Sequence, residues 1–307
     1  MARFLGRTCR KEDLALISTA TEGINMIVNG LSLAKGDEVI TSTHEHVALK
    51  CALLNRMQRD GIVLRLFDPD LKDGRGNVIS HLTCTTGQQF PVKEIAALAR
   101  EKGIRFALDG AQAPACIPFD IVECGADFYT SSMHKWMMGP KRTGFLYIRQ
   151  GMLDTLRPMT VGAGSSSRHD LKTGIFEFES SAQRFEYGTQ NEALFYALGT
   201  SIDFIEAIGS DRVFRYSRDL AEKFYAGLRE IPGVEILSPE EEAYRSPMIS
   251  FRLPGRDLCA INEHFSSEHI RVRIVSENDL NSVRASFFIC NTCADVERTL
   301  SSVKKLA

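Results

Sequence analysis

The stretch Ile104–Trp136, IRFALDGAQAPACIPFDIVECGADFYTSSMHKW, leaves this chain the least freedom. Ile104–Leu108 is a short apolar run that stops at an acid, Asp109, followed by the small residues Gly110 and Ala111. Phe128–Ser131 is a second short run, and it stops at Ser132-Met133-His134-Lys135-Trp136. Short apolar runs bounded by turn residues read as buried strands. In a parallel sheet the residues just past the carboxyl ends of the strands converge on one crevice. An acid from one strand tip and a lysine from the other are then expected in a single pocket. The plain alternative is a helix-capping Asp109 and a solvated Lys135, since most lysines are exposed. The Met and Trp residues flanking Lys135 argue against it, because a surface lysine rarely sits in so apolar a run.

A pocket that pairs a lysine with a carboxylate meets the needs of pyridoxal 5'-phosphate (PLP). The lysine amine forms a Schiff base with the aldehyde, and the carboxylate keeps the pyridine nitrogen protonated so that the ring accepts electrons. Lys135 and Asp109 are therefore the leading catalytic candidates. A free lysine titrates near ~10.4, so a working Lys135 has to be shifted down by burial and nearby positive charge.

Composition narrows the classes. The chain is 44% apolar and 25% charged, ordinary for a globular protein. Its net charge of −2 offers no electrostatic case for nucleic acid or membrane partners. No apolar run reaches the roughly 18 residues that a membrane span needs. The N-terminus, MARFLGRTCRKEDLALIS, has no signal-peptide core, so a cytoplasmic location is expected. Eight cysteines without framework spacing fit reduced thiols. Cys290 and Cys293 form a CxxC with no second half, which argues against zinc and leaves two ordinary thiols ahead of a redox pair.

The motifs DGAQAP and SSMHKW, followed by GPKRTGFLYIR, resemble the class V aminotransferase group of fold type I PLP enzymes. That group includes cysteine desulfurases, selenocysteine lyases and isopenicillin N epimerase-like enzymes. Matches run in order from Ala20 to Asn291, nearly the whole chain. The resemblance implies an α/β fold: a mostly parallel central sheet with helices on both faces, plus a smaller C-terminal α+β domain. The expected division is 1–208 for the PLP-binding domain and 209–307 for the small domain, with the boundary near Gly209.

The resemblance also assigns roles. Thr19–Asn25 opens a helix whose stripe is Ile24, Ile27, Val28 and Leu31, and a helix N-terminus binds anions. Local sequence alone reads this as a plain cap; in the family Ala20 and Thr21 match the turn that holds the PLP phosphate. Ser132 and His134 match further phosphate contacts, with a satisfied core imidazole as the rival for His134. His46, in Thr43-His44-Glu45-His46, matches the ring that stacks on the pyridine; this is not a metal motif. Gln112 matches a donor to the phenolic oxygen. The family commonly has Asn, bonding that same oxygen, where this chain has Cys84. Arg284 matches the arginine that binds the substrate α-carboxylate, as a guanidinium fork can; on local sequence it is a surface strand residue. Asn291 supports the substrate role, and Arg273 is a secondary candidate. Thr189 matches a threonine that reaches the partner's phosphate, which implies a homodimer; an N-cap by Thr189 or Asn191 is compatible with it.

The expected substrate is a small amino acid. Family desulfurases carry a nucleophilic Cys between the equivalents of Arg273 and Arg284, and Ile274–Val283 contains none. The short loop Glu277–Asn281 resembles the isopenicillin N epimerase-like subgroup. The leading expectation is therefore chemistry at Cα, with epimerisation, transamination and lyase outcomes open. The alternatives are a desulfurase or selenocysteine lyase-type C–S lyase, and a non-catalytic truncated paralogue. The last is motivated by an N-terminus that starts near the phosphate turn and by Asp68–Asn77, which is turn-rich where the family has a surface helix. Gly162–Phe176 is Gly/Ser-rich and reads as a mobile loop near the site entrance.

Overall fold

A computed structural model describes residues 1–68 and 80–307. The expected absence of a helix over Asp68–Asn77 lies almost wholly outside the described residues. The chain opens with α1 (Ala2–Leu5), β1 (Leu14–Ile17) and α2 (Ala20–Gly30), followed by β2 (Glu38–Ser42), α3 (Val47–Asp60) and β3 (Val63–Phe67). Next come α4 (Val92–Glu101), β4 (Ala107–Asp109), β5 (Phe128–Ser132) and β6 (Gly144–Ile148). The order β1-β6-β5-β4 forms a mixed sheet: β4 and β5 are parallel, while β6 is antiparallel to both β5 and β1. A parallel bridge from Ser80 to Asp109 extends the sheet beyond β4, and β2 and β3 form a separate parallel pair.

Burial on both faces explains why these strands read as continuous apolar runs. In β5 and β6, Tyr129, Phe145 and Tyr147 face one core with Leu5, Phe90 and Ile202. Their neighbours Phe128, Leu146 and Ile148 face another with Ile17 and Ile27. The α2 helix lies close on the sheet: a Cβ on Gly23 would stand 2.0 Å from Thr130 Oγ1. Its C-terminal end is held by the buried Arg56 of α3, whose guanidinium donates to the carbonyls of Val28 (2.7 Å), Asn29 (2.9 Å) and Leu31 (3.0 Å).

The segment expected to be a mobile loop, Gly162–Phe176, instead enters a β-hairpin of β7 (Ser166–Asp170) and β8 (Ile175–Phe178). Polar Ser166–Asp170 carries no apolar alternation, and the apolar Ile175, Phe176 and Phe178 of its partner strand fall at or beyond the end of the Gly/Ser-rich stretch. Two long helices follow, α5 (Glu192–Ile208) and α6 (Ser210–Arg229). The remaining chain forms β9 (Glu235–Ile236), β10 (Met248–Arg252), α7 (Leu258–Ser267), β11 (Arg273–Val275), β12 (Ser282–Ser286) and α8 (Cys293–Leu306). Its sheet, β11-β12-β10-β9, is antiparallel throughout. This second unit has its own core, in which Phe224 and Leu228 of α6 meet Phe251, Phe265, Val283 and Val303.

The two units join at the turn after Cys84. Ser238 Oγ donates to the Thr86 carbonyl (2.6 Å), Ser246 Oγ to that of Gly87 (2.6 Å), and the Gln89 amide to that of Tyr244 (2.8 Å). No helix among the described residues is long and apolar enough to cross a membrane.

Candidate active site

The tips of β4 and β5 lie side by side, with Asp109 registered against Thr130. The chain then leaves β5 at Ser132 and brings Lys135 back over the crevice. Asp109 and Lys135 line one cavity of about 240 Å³, together with Ala20 and Thr21, His46, Gln112, Ser132 and His134. Eight of the residues singled out from the sequence therefore share one wall.

The N-terminus of α2 points its unpaired amides at this space, as any helix start does. Thr19 caps it by accepting from the Glu22 amide (3.1 Å), and Glu22 accepts in return from the Ser18 amide (2.6 Å). The Ala20 amide donates to Ser132 Oγ (2.7 Å), which leaves the Ser132 hydroxyl proton as the donor facing outward. Among the described residues His134 Nδ1 is buried without a hydrogen-bond partner. A buried unpaired polar atom costs stability unless a ligand satisfies it.

At the Asp109 end, burial pushes the carboxyl up, opposed by the Ala111 amide (2.9 Å to Oδ1) and by the Lys135 charge. Burial pulls the Lys135 amine down; Asp109 and Cys84 oppose the shift, while Arg284 and Arg273 add to it. The Lys135 direction is the one that base chemistry at neutral pH requires, while Asp109 is offset by the Ala111 amide and the Lys135 charge, which favour its ionised form. The His46 ring caps α3, with Nδ1 accepting from the Ala48 amide (3.2 Å), so the ring proton belongs on Nε2. Burial first, and then Lys135, lowers the His46 pKa and keeps this ring neutral. Gln112 Oε1 accepts from Trp136 Nε1 (2.9 Å), which fixes the amide and leaves its NH2 as the free donor.

Behind Cys84, β11 and β12 place Arg273 directly opposite Arg284. Both guanidiniums donate to the Cys84 carbonyl, Arg273 at 3.2 Å and Arg284 more closely. Arg273 also pairs with Glu277, whereas Nε of Arg284 is buried and unpartnered. Burial, then the Arg273 charge, pulls the Arg284 pKa down to about 10. Two like charges opposed across a strand pair repel, and an arriving carboxylate relieves both that repulsion and the unpaired donor.

Three expected site residues, Arg284, Asn291 and Thr189, do not line the cavity, nor does the secondary candidate Arg273; the two arginines stand behind Cys84. Asn291 is not on the cavity wall; its Oδ1 accepts from the Phe288 amide (2.9 Å) and closes the turn before α8. Thr189 is exposed on the approach to α5, away from this chain's own cavity. One buried group went unread in the sequence: Glu45 accepts from Ser42 Oγ (2.8 Å) and is bound by Ser80. It ties the His46 segment to the strand beside Asp109. An acid next to a ring-stacking histidine was the available signal.

A buried amine, a buried carboxyl, a helix start, an unpaired imidazole nitrogen and a fixed amide donor together fit PLP. Comparison with known proteins agrees. The family described as aminotransferase class-V matches residues 2–299. A probable cysteine desulfurase of Pyrococcus abyssi is 26% identical, the match covering 96% of this chain and 79% of that protein. The apo cysteine desulfurase structure from Thermococcus onnurineus superposes with a TM-score of 0.88 at 26% identity, covering 99% of this chain and 81% of that one. A variant of the lyase C-DES with glycine linked to its PLP cofactor shares the fold at 24% identity and a TM-score of 0.88. These relatives give no support to the expected kinship with isopenicillin N epimerase-like enzymes. The chain belongs to the class V aminotransferase family of PLP-dependent enzymes, in the fold type I architecture.

Proposed function

We propose that this protein is a C–S lyase that acts on cysteine or a cysteine-derived amino acid and releases the sulfur to solution. One observation carries the reading: Lys135, Asp109 and the arginine-gripped Cys84 border one cavity, beside a β11–β12 connection that contains no thiol. The names of the relatives point the same way, to sulfur removed from an amino acid. Bound PLP supplies an aldehyde for the substrate amine and an electron-withdrawing ring. Asp109 would hold the ring nitrogen, His46 one ring face, Gln112 the phenolic oxygen, and the α2 start with Ser132 and His134 the phosphate.

This chain's own residues then do the following. Arg284 takes the substrate carboxylate on its free Nε, and Arg273 holds the facing charge in place. Lys135, with its amine pulled down by burial, removes the proton at Cα. The field of Lys135, Arg273 and Arg284 favours the departing thiolate. Cys84 is the thiol on this wall, and burial raises its pKa despite the nearby arginines. It therefore stays protonated and does not replace the loop thiolate that a persulfide-forming desulfurase requires.

The active unit in this reading is a homodimer in which Thr189 completes the partner's cavity. Thr189 is exposed, and the following α5 leaves Tyr196 77% and Phe204 50% exposed, large apolar area for a surface helix.

The test is product analysis with the PLP-loaded protein. Elimination converts cysteine and water to pyruvate, ammonia and hydrogen sulfide, whereas desulfuration onto a thiol yields alanine. Pyruvate with equimolar sulfide is expected. Alanine as the product, Cα epimerisation without sulfur loss, or a colourless protein that takes up no PLP would each overturn the proposal.

A further inference from the structure

The β11–β12 connection holds an unusual backbone. Asn278, Asp279 and Asn281 all have positive φ, at 55°, 55° and 44°. Non-glycine residues enter this left-handed region uncommonly, Asn and Asp most readily. Where such conformations cluster, the surroundings hold them. Here the holding contacts are visible. On one side Glu277 pairs with Arg273, which itself grips the Cys84 carbonyl. On the other, Asn278 Nδ2 donates to the Thr43 carbonyl (2.7 Å), and Asn278 Oδ1 accepts from Lys50 Nζ (3.0 Å).

Thr43 and Lys50 bracket His46: one opens the loop after β2 and the other lies in the first turn of α3. A single side chain of the C-terminal unit thus spans two points on the segment that carries the ring-facing histidine. The adjacent residue holds the arginine beside the carboxylate-binding Arg284. The connection thus joins the His46 segment to the arginine that grips Cys84 on the cavity wall.

We propose that Asn278 is a positioning residue, a cross-brace that fixes the distance between the His46 segment and the Arg273–Arg284 pair and so sets how tightly a substrate carboxylate is held. This rests on the reading of Arg284 as the carboxylate anchor, and not on which product leaves the site. The brace occupies the connection where sequence expectation looks for a desulfurase thiol. A connection pinned at both ends cannot swing a nucleophile over the substrate, in accord with sulfur leaving to solution.

Asn278→Gly tests it, because glycine keeps the left-handed backbone and removes only the side-chain contacts. PLP-loaded protein is titrated with L-alanine, which binds as an amino acid but has no sulfur to lose, and the absorbance change gives an apparent Kd. Backbone hydrogen exchange over residues 43–50 is measured with and without PLP. The expected result is an alanine Kd about tenfold weaker and faster exchange at 43–50 in both forms, with PLP content and melting temperature unchanged. Asn278→Asp, which keeps an acceptor for Lys50 but loses the donor to Thr43, is expected to fall between, and serves if the glycine variant does not fold. Unchanged alanine affinity, or unchanged exchange at 43–50, overturns the brace. Failure of the lyase reading shows separately, as alanine formed from cysteine by the unmodified protein.

Discussion

Arg284 and His81 show how burial gives single residues their roles. Arg284 has an unpaired, buried Nε and a repelling neighbour in Arg273. Lysine cannot reproduce the fork. Arg284→Lys is expected to raise KM for the amino acid about tenfold or more, since a hydrogen bond to a charged group contributes roughly 1.5–3 kcal/mol. PLP absorbance should stay unchanged, and steady-state kinetics beside a spectrum reads both. His81 lies on the far side of the segment that lines the cavity, completely buried, with Nδ1 2.9 Å from Tyr129 Oη. Burial lowers its pKa from 6.5 to about 4. The folded value lies below the unfolded one, so between them the unfolded chain binds the extra proton. The full contribution is present above the unfolded value. It is lost as pH falls through that window, by about 3 kcal/mol in all, and is constant again below it. His81→Gln should flatten urea-unfolding stability between pH 6.5 and 4 relative to the parent protein.

At the scale of elements, the site depends on how closely strand and helix ends approach. Gly110 follows Asp109 at the tip of β4, where an added Cβ would lie 1.9 Å from Tyr129 Cε1 and 2.2 Å from its hydroxyl. Tyr129 cannot retreat: it is fully buried, bonded to His81 and packed between Phe119 and Phe145. Gly110→Ala is expected to destabilise by about 3 kcal/mol or more, the upper end for overpacking. The urea midpoint should fall and PLP retention with it, since Asp109 is the adjacent residue. The strands that make the tips were legible because both of their faces are buried and their apolar runs stop at Asp109 and Ser132. The β7–β8 hairpin was not, because the exposed polar strand β7 carries no periodic signal.

At the scale of the whole molecule, two cores meet at one turn, and the cavity lies where they meet. The C-terminal unit reaches the cavity wall through Arg273 and Arg284, which grip the Cys84 carbonyl from behind. The cavity's cofactor side comes from the first unit, through Lys135 and Asp109. If Thr189 completes the partner's cavity, a Lys135→Ala chain and a Thr189→Ala chain are each deficient alone. Mixed by co-refolding, they form heterodimers with one intact site, and about a quarter of wild-type activity is expected on statistical pairing. No recovery on mixing, or a monomeric mass by ultracentrifugation, would refute the shared site. By itself the sequence determined the strand tips, the acid and the lysine they carry, and the family, because apolar runs and their stops are local facts of the chain. Only the tertiary structure decided which side chains share the cavity and which stay outside it. Asn291 was drawn into its own turn and Thr189 left on the surface, while Cys84 came under two arginines 189 and 200 residues away. Those outcomes depend on how two units dock, and docking is set by contacts between distant residues that no local pattern encodes.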